Sequence, residues 1–479
     1  MNSKRIKFLL PAACVAWQFL SETRSLLAAV MESTPKTYCN PLGVPTPKGR
    51  SLADPTVFSH REKYYLYATG GQAWVSEDLV HWEYHEVSLP VRVVAPTVVE
   101  YKGNFYMSGN GGGMLHSAAP LGPWEQTGEI LGLDGKVITW ADPMFFVDDD
   151  GIFYCYHQSG SGVGTDGIYV TRLDPKANFT RVLGPSVKCF SFRSEHVWER
   201  FGDSNEFPEL GWIEAAWMTK HAGRYYLQYS GCGTEWKNYA VGVYSSASPT
   251  GPFVYQESSP ILKEQGALLN GTGHHAIITG PQGQLWMLYH VLFHNANKWD
   301  RRLALDAVGF DAEGRMFVNG PSELPQRLPG QHASPSQGND AGLSLLSMNK
   351  EITASSAAPG RSPEYAVDNH IRTWWQAGQA GPQWLEVDLG RDFNVEASRI
   401  VFSLASAEKG QALFEYSLEL SSDQKAYKTV LKRKAGEGVN SDIRYDELSP
   451  AMGRWVRLNF ESRPENRPVG IIEFSIFGK

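Results

Sequence analysis

Short apolar and aromatic runs, broken by Gly, Asp and Asn, carry the pattern of the central part of the chain. No stretch keeps the spacing of an amphipathic helix for long, so the pattern predicts strands and turns. Five segments share one template. Asp54-Pro-Thr-Val-Phe leads to Lys63-Tyr-Tyr-Leu-Tyr, and Ala95-Pro-Thr-Val-Val to Gly103-Asn-Phe-Tyr-Met. Asp142-Pro-Met-Phe-Phe leads to Gly151-Ile-Phe-Tyr-Cys-Tyr, Glu214-Ala-Ala-Trp-Met to Gly223-Arg-Tyr-Tyr-Leu, and His274-His-Ala-Ile-Ile to Gly283-Gln-Leu-Trp-Met. Each reads as a strand, a tight turn and an aromatic-rich second strand. Third strands follow at Ala73 to Val75, Met114 to Ser117, Ile168 to Arg172 and Val241 to Ser245. The unit starts lie 41, 47, 72 and 60 residues apart. Repeats of that size, each a small antiparallel sheet, predict an all-β, five-bladed propeller over residues 36–326.

Beyond this region the composition shifts to Pro, Gly, Ser, Gln and Asn, which predicts a linker over 327–346. Alternating runs then recur at Trp384 to Leu389, Ser398 to Leu404, Tyr416 to Leu420, Trp455 to Phe460 and Ile471 to Phe477. They predict a β-sandwich over 347–479. The linker composition carries the further expectation that a chain ending near Gln326 stays folded and active on small substrates.

At the other end, Lys4, Arg5 and Lys7 precede an apolar stretch from Phe8 to Leu20 that is short for a bilayer span. It reads as a signal peptide within residues 1–30, and so predicts a secreted or periplasmic protein. Net charge is −7, which argues against a nucleic-acid or anionic-membrane partner. Cys39, Cys155, Cys189 and Cys232 match no zinc spacing and are too sparse for a disulfide scaffold. One or two disulfides are compatible with export, with no pairing indicated.

The repeat alignment brings Asp54, Ala95, Asp142, Glu214 and His274 to one equivalent position, the start of the first strand. First strands of propeller blades line the central channel, so these residues form a ring at one mouth of it. Three of the five are carboxylates and one is an imidazole. A ring position serving packing alone would hold small or apolar residues. Paired carboxyl groups at a cleft are the tools of glycosidic hydrolysis: one, protonated, serves the leaving oxygen, and another, ionised, activates water. A third carboxylate nearby raises the pKa of the acid. Separation across a ring favours inversion, which needs roughly 6.5–9.5 Å between the principal pair. Trp74, Trp140, Trp212 and Trp236 stand near blade ends as candidates for stacking on a sugar face.

Ala53-Asp54-Pro55, Asp142-Pro143 with the following Phe-Phe-Val-Asp-Asp-Asp-Gly151, and Glu214 ahead of Tyr225-Tyr226-Leu227 together resemble glycoside hydrolase family 43. Glu77-Asp-Leu-Val-His-Trp82 and Ser248-Pro-Thr-Gly-Pro-Phe253 resemble its blade edges. The resemblance implies Asp54 as general base, Glu214 as general acid and Asp142 as the group that orients and tunes the acid. It implies that His274 is an axial histidine at the substrate and near a metal ion such as Ca2+, and that Arg302 reaches the sugar. Glu214 is followed by Ala-Ala where many relatives have Gly-Pro, and Val94 precedes Ala-Pro where Trp is common. Ala366-Val-Asp368, Thr373-Trp-Trp375, Leu385-Glu-Val-Asp-Leu-Gly390 and Glu473-Phe-Ser-Ile-Phe-Gly478 resemble a discoidin, or factor 5/8 type C, domain, a type that often binds carbohydrate.

The implied activity is inverting hydrolysis of plant-type oligo- or polysaccharides, with an exo-acting α-L-arabinofuranosidase as the leading reading. β-Xylosidase, galactofuranosidase, exo-β-1,3-galactanase and endo-arabinanase are alternatives within the family. A non-catalytic carbohydrate-binding protein is the rival from another class, and the intact set of acids argues against it.

Overall fold

A computed structural model describes residues 36–46, 51–159, 167–293, 299–331, 338–403, 415–434, 441–462 and 468–479. The signal segment expected within residues 1–30 lies outside the described residues. The described chain is all-β, a five-bladed propeller followed by a sandwich. Blade 1 runs Thr56–His60, Lys63–Ala68, Gln72–Ser76 and Trp82–Glu86, and blade 2 runs Thr97–Tyr101, Asn104–Ser108, Met114–Ser117 and Glu125–Gly128. Blade 3 comprises Trp140–Val147, Phe153–Ser159, Gly167–Arg172 and Val187–Ser191. Blade 4 comprises Ile213–His221, Arg224–Gly231, Ala240–Ser246 and Val254–Tyr255, and blade 5 comprises Gly273–Thr279, Leu285–Leu292, Arg301–Phe310 and Met316–Val318. All pairings within blades are antiparallel and follow chain order.

Local chemistry explains the hairpins. Arg61 and Glu62, Lys102 and Gly103, and Ala222 and Gly223 all have positive φ. Two consecutive positive φ values make the turn whose twist matches paired strands. The fourth strands escaped the sequence pattern because they are short or polar outer edges: Val254–Tyr255 and Met316–Val318 span two and three residues, and Glu125, Gln126 and Thr127 are all exposed.

The first strands of successive blades touch in a ring, and blade 5 returns to blade 1. Apolar clusters fill the seams between neighbouring blades. Trp74 and Leu66 pack with Trp286 and Leu288 between blades 1 and 5, and Tyr156 and Val170 pack with Leu227 and Met218 between blades 3 and 4. Closure is reinforced by Thr37–Tyr38 pairing with Gln326–Arg327. Asn40 then bonds both the amide and the carbonyl of Leu305 in blade 5.

Two long strands, Gln383–Phe402 and Ile443–Ser462, carry the sandwich, bent by irregularities between Asp388 and Phe393 and between Val395 and Ala397. Its core includes Trp375, Leu385, Val387, Leu458, Phe460 and Phe474, all buried. None of Cys39, Cys155, Cys189 and Cys232 is in a disulfide.

The stretch with linker composition is not an open tether where it is described. Leu328 packs into the seam between blades 1 and 5, and Ser344–Leu345 pairs with the strand Gly470–Gly478. The sandwich also packs on the propeller. Leu268 and Phe293 share one buried cluster with Ile371, Val401, Ile443 and Ile472. The fully buried Arg399 of the sandwich donates to the carbonyls of Asn40 and Glu323. Asn369 donates to the Glu323 carboxylate at 2.6 Å.

These contacts lead to an outcome opposite to the one the linker composition implied. A chain ending at Gln326 exposes Leu268 and Phe293 and is expected to aggregate or lose activity, measured by light scattering and turnover. In the whole chain, Phe293→Ala is expected to cost about 3–5 kcal/mol. Denaturant unfolding followed by tryptophan fluorescence checks this, and an unchanged midpoint would contradict it.

Candidate active site

The residue that opens each blade has an unusual backbone. Asp54, Ala95, Asp142, Ala215 and His274 have φ of 57°, 48°, 47°, 53° and 40°. The left-handed region costs a non-glycine residue roughly 1–2 kcal/mol. Each of these N–H groups has an acceptor. Ala95 donates to Thr69 Oγ1 at 2.8 Å, Asp142 to Asn110 Oδ1 at 2.5 Å and His274 to Ser230 Oγ at 2.9 Å. Asp54 donates to His290 Nδ1 at 3.5 Å, and Ala215 donates to the Asp142 carboxylate. In each case the acceptor comes from the preceding blade, with blade 5 serving blade 1.

This geometry corrects the repeat register by one residue in blade 4. The left-handed residue there is Ala215, and Glu214 precedes it, paired with Ser230. Glu214 nevertheless joins the site, because its longer side chain interacts directly with the Asp142 carboxyl.

The acids have different surroundings. Asp54 Oδ2 accepts from Thr69 Oγ1 at 2.6 Å, and Asp54 Oδ1 accepts from Arg301 Nη1 at 3.1 Å. Asp142 Oδ1 accepts from Asn110 Nδ2 at 3.1 Å. Burial, and then the Asp54 charge, push Asp142 up to about 6. Glu214 accepts from Trp212 Nε1 at 2.5 Å and from Tyr239 Oη at 2.7 Å. Burial, and then the Asp142 charge, push Glu214 up to about 8 against these bonds. Gly273 admits Tyr239 to this position, since a Cβ there would lie 2.3 Å from the tyrosine ring.

His274 Nδ1 lies 3.3 Å from Asp54 Oδ1 and 3.7 Å from Asp142 Oδ2. Burial lowers its pKa despite these neighbours, and His290, fully buried, is lowered further. Both imidazoles are therefore neutral. His274 thus links the two aspartates, with Glu214 beside Asp142. Three carboxyl groups and a neutral imidazole meet at one end of the blade ring, with the proton held most tightly on Glu214. That is the equipment for acid–base cleavage of a glycosidic bond.

Residues 45–316, more than half of the chain, match the family described as Glycosyl hydrolases family 43. The chain belongs to that family. Residues 351–474 match the F5/8 type C domain. This family 43 glycosidase is 28% identical over 306 residues to a β-D-galactofuranosidase, xynD, of Aspergillus niger, covering 55% of this chain and 81% of that one. It is 32% identical over 233 residues to xylosidase/arabinosidase 43A of Humicola insolens, covering 44% of this chain and 67% of that one. A solved structure described as a thermostable family-43 glycoside hydrolase matches with a TM-score of 0.51 at 26% identity, over 62% of this chain and all of that one.

Arg302 is not at the acids of the family 43 site. Its buried guanidinium lies between Asp300 and Asp442. The arginine on Asp54 is Arg301, because consecutive residues of a strand face opposite sides. Sequence reasoning also missed Thr69, Asn110, Ser230 and His290. A signal for them exists: each stands six residues after Lys63, Asn104, Arg224 or Gln284, at the end of its blade's second run, and each is polar.

The calcium expectation meets a poor fit. Calcium takes six to eight oxygen ligands, whereas His274 Nδ1 faces Asp54 and Asp142. Among the described residues no three His, Cys, Asp or Glu side chains are grouped to hold an ion. Of the tryptophans, Trp74 is buried between blades, Trp140 stacks on His157 with ring centroids 4.8 Å apart, Trp212 serves Glu214 and Trp236 is partly buried.

Asn110→Leu removes both the donor to the Asp142 carboxylate and the acceptor of the Asp142 N–H. The pKa of Asp142 is expected to rise above about 6, read by carboxyl-carbon NMR titration. Stability is expected to fall by about 1–3 kcal/mol. A value at or below that of the parent protein would contradict the assignment.

Proposed function

We propose that this family 43 glycosidase is an inverting, exo-acting α-L-arabinofuranosidase. Asp54 is the general base, Glu214 the general acid, and Asp142 positions and tunes the acid. The observation that carries this reading is the contrast between two carboxyl groups. Glu214, pushed up to about 8, holds a proton at neutral pH. Asp54 presents oxygens that accept from Thr69 and Arg301.

In this mechanism a water lies against Asp54, which takes its proton as the oxygen attacks the anomeric carbon. The C–O bond to the leaving group breaks as Glu214 delivers its proton to that oxygen. Burial first, and then the Asp142 charge, keep Glu214 protonated, and Asp142 meets Ala215 and Asn110 with its remaining acceptors. His274, neutral and beside both aspartates, is a substrate contact that adds no positive charge. The choice of an arabinofuranoside draws support from the two relatives named above, one a galactofuranosidase and the other a xylosidase/arabinosidase.

A panel of 4-nitrophenyl glycosides tests the sugar. The α-L-arabinofuranoside is expected to be cleaved fastest, and a faster β-D-xylopyranoside or β-D-galactofuranoside would overturn the choice. Glu214→Gln is expected to depress hydrolysis of polysaccharide by about 10²–10⁴-fold, the usual size of acid–base assistance. It should depress the 4-nitrophenyl glycoside much less, since that leaving group needs less protonation. Asp54→Asn is expected to depress both alike, with partial recovery on adding azide.

The pH profile has a definite sign. The protonated form of Glu214 is active, so polysaccharide turnover holds below about 8 and falls above it. Asp142→Asn removes the second cause of the upward shift, so this basic limb moves down. Burial, the first cause, keeps it above the ordinary carboxylate range. A limb that stays in place or moves up would contradict the tuning role of Asp142.

A further inference from the structure

The site sits close to the seam between propeller and sandwich, and a buried polar chain crosses that seam beside it. Asp442, on the sandwich, accepts from Arg302 Nε at 3.0 Å and from Arg302 Nη2 at 2.6 Å. Asp300 holds the other edge, accepting from Nη1 at 2.6 Å and Nη2 at 3.3 Å. Asp300, Arg302 and Asp442 are all buried, and the guanidinium lies 4.3 Å above the Phe293 ring. Clamped along both edges by carboxylates, the planar fork has a fixed orientation.

The clamped arginine has one further contact. Arg302 Nη1 donates to the Arg301 carbonyl at 2.8 Å. The same carbonyl accepts from Leu52 N–H at 3.0 Å, two residues before Asp54, and Arg301 N–H donates to Ser51 Oγ at 2.9 Å. The Arg301 peptide is thus held on one side by the segment leading into Asp54 and on the other by Arg302. Its own side chain extends to Asp54 Oδ1. A seam needing only adhesion is closed more cheaply by apolar groups, since a buried ion triad carries a large desolvation cost. Apolar contacts are already present beside it, from Leu268 and Phe293.

We infer that the sandwich is a working part of the active site: Asp442, through Arg302, fixes the Arg301 peptide and thereby holds the Arg301 guanidinium against Asp54. Asp442 is a positioning residue for the hydrolytic step, not a substrate contact. The inference rests on the reading of Asp54 as the base. It gives the sandwich a role in turnover on small substrates, separate from any binding of polymer.

The test is a double-mutant cycle on the full chain, assayed with whichever 4-nitrophenyl glycoside is cleaved fastest. Asp442→Asn keeps the side-chain shape and is expected to lower kcat about tenfold or more, with KM changed less than about threefold. In an Arg301→Lys background, which already lacks the planar fork, the same substitution is expected to change kcat less than about twofold. A purely adhesive Asp442 lowers the unfolding midpoint in both backgrounds and shows no such dependence on Arg301. Equal factors in the two backgrounds, or an unchanged kcat in Asp442→Asn, would overturn the inference. Should Asp442→Asn fail to fold, Arg302→Lys is carried through the same cycle, because it keeps a cation between the carboxylates and loses the contact to the Arg301 carbonyl. Asp54→Asn separates the two readings. An active Asp54→Asn protein removes the assignment of the base itself, whereas an inactive one with equal factors in the cycle removes only the role of Asp442.

Discussion

The left-handed turn at the head of each blade is the constraint on which the rest of this molecule depends. Five non-glycine residues adopt it, and each N–H finds an acceptor on the blade before. The turn re-aims the chain at the start of the first strand, so that Asp54, Asp142 and His274 meet instead of following the strands. The strain is offset by these bonds and by the apolar seams between blades. Strain of this kind persists where surrounding structure over-determines it, and it collects at functional sites.

Convergence alone would give three acids that repel one another. Their surroundings separate them. Glu214 is buried and carries the proton, while Asp142 is tied by Asn110 and Ala215 and stays close enough for its charge to act on Glu214. Neutral His274 and His290 occupy space beside Asp54 without adding positive charge, which leaves Arg301 as the cation in direct contact with it. The outcome is a cation on Asp54 and a proton on Glu214, two carboxyl groups in one site with different partners.

Much of this was legible in the chain, and the failures have physical causes. The five-fold template read correctly because each blade buries both faces of its middle strands, which forces aromatic and branched residues there. The fourth strands did not read, since Glu125–Gly128 has no buried face to impose a pattern and Val254–Tyr255 and Met316–Val318 are too short to show one. Glu214 drew the alignment to itself as the charged residue, although the backbone turn falls on Ala215. Arg301 and Arg302 are neighbours on opposite faces, and nothing in a dipeptide says which face meets Asp54. The acceptors Thr69, Asn110, Ser230 and His290 share a position and not a chemistry, so a search for one residue type passes over them. Contacts such as Arg302 to Asp442 and Arg399 to Asn40 join residues far apart in sequence, and composition describes only the intervening linker.

In the proposed mechanism Asp54 and Glu214 work from opposite sides of the anomeric carbon, one on water and one on the leaving group, with no covalent bond to the enzyme. The most direct measurement is proton NMR of the sugar released in the first moments of hydrolysis, before the anomers equilibrate. The first product is expected to have the anomeric configuration opposite to that of the substrate. Retained configuration would contradict it, because retention requires a glycosyl-enzyme intermediate and principal carboxyl groups only about 5–5.5 Å apart.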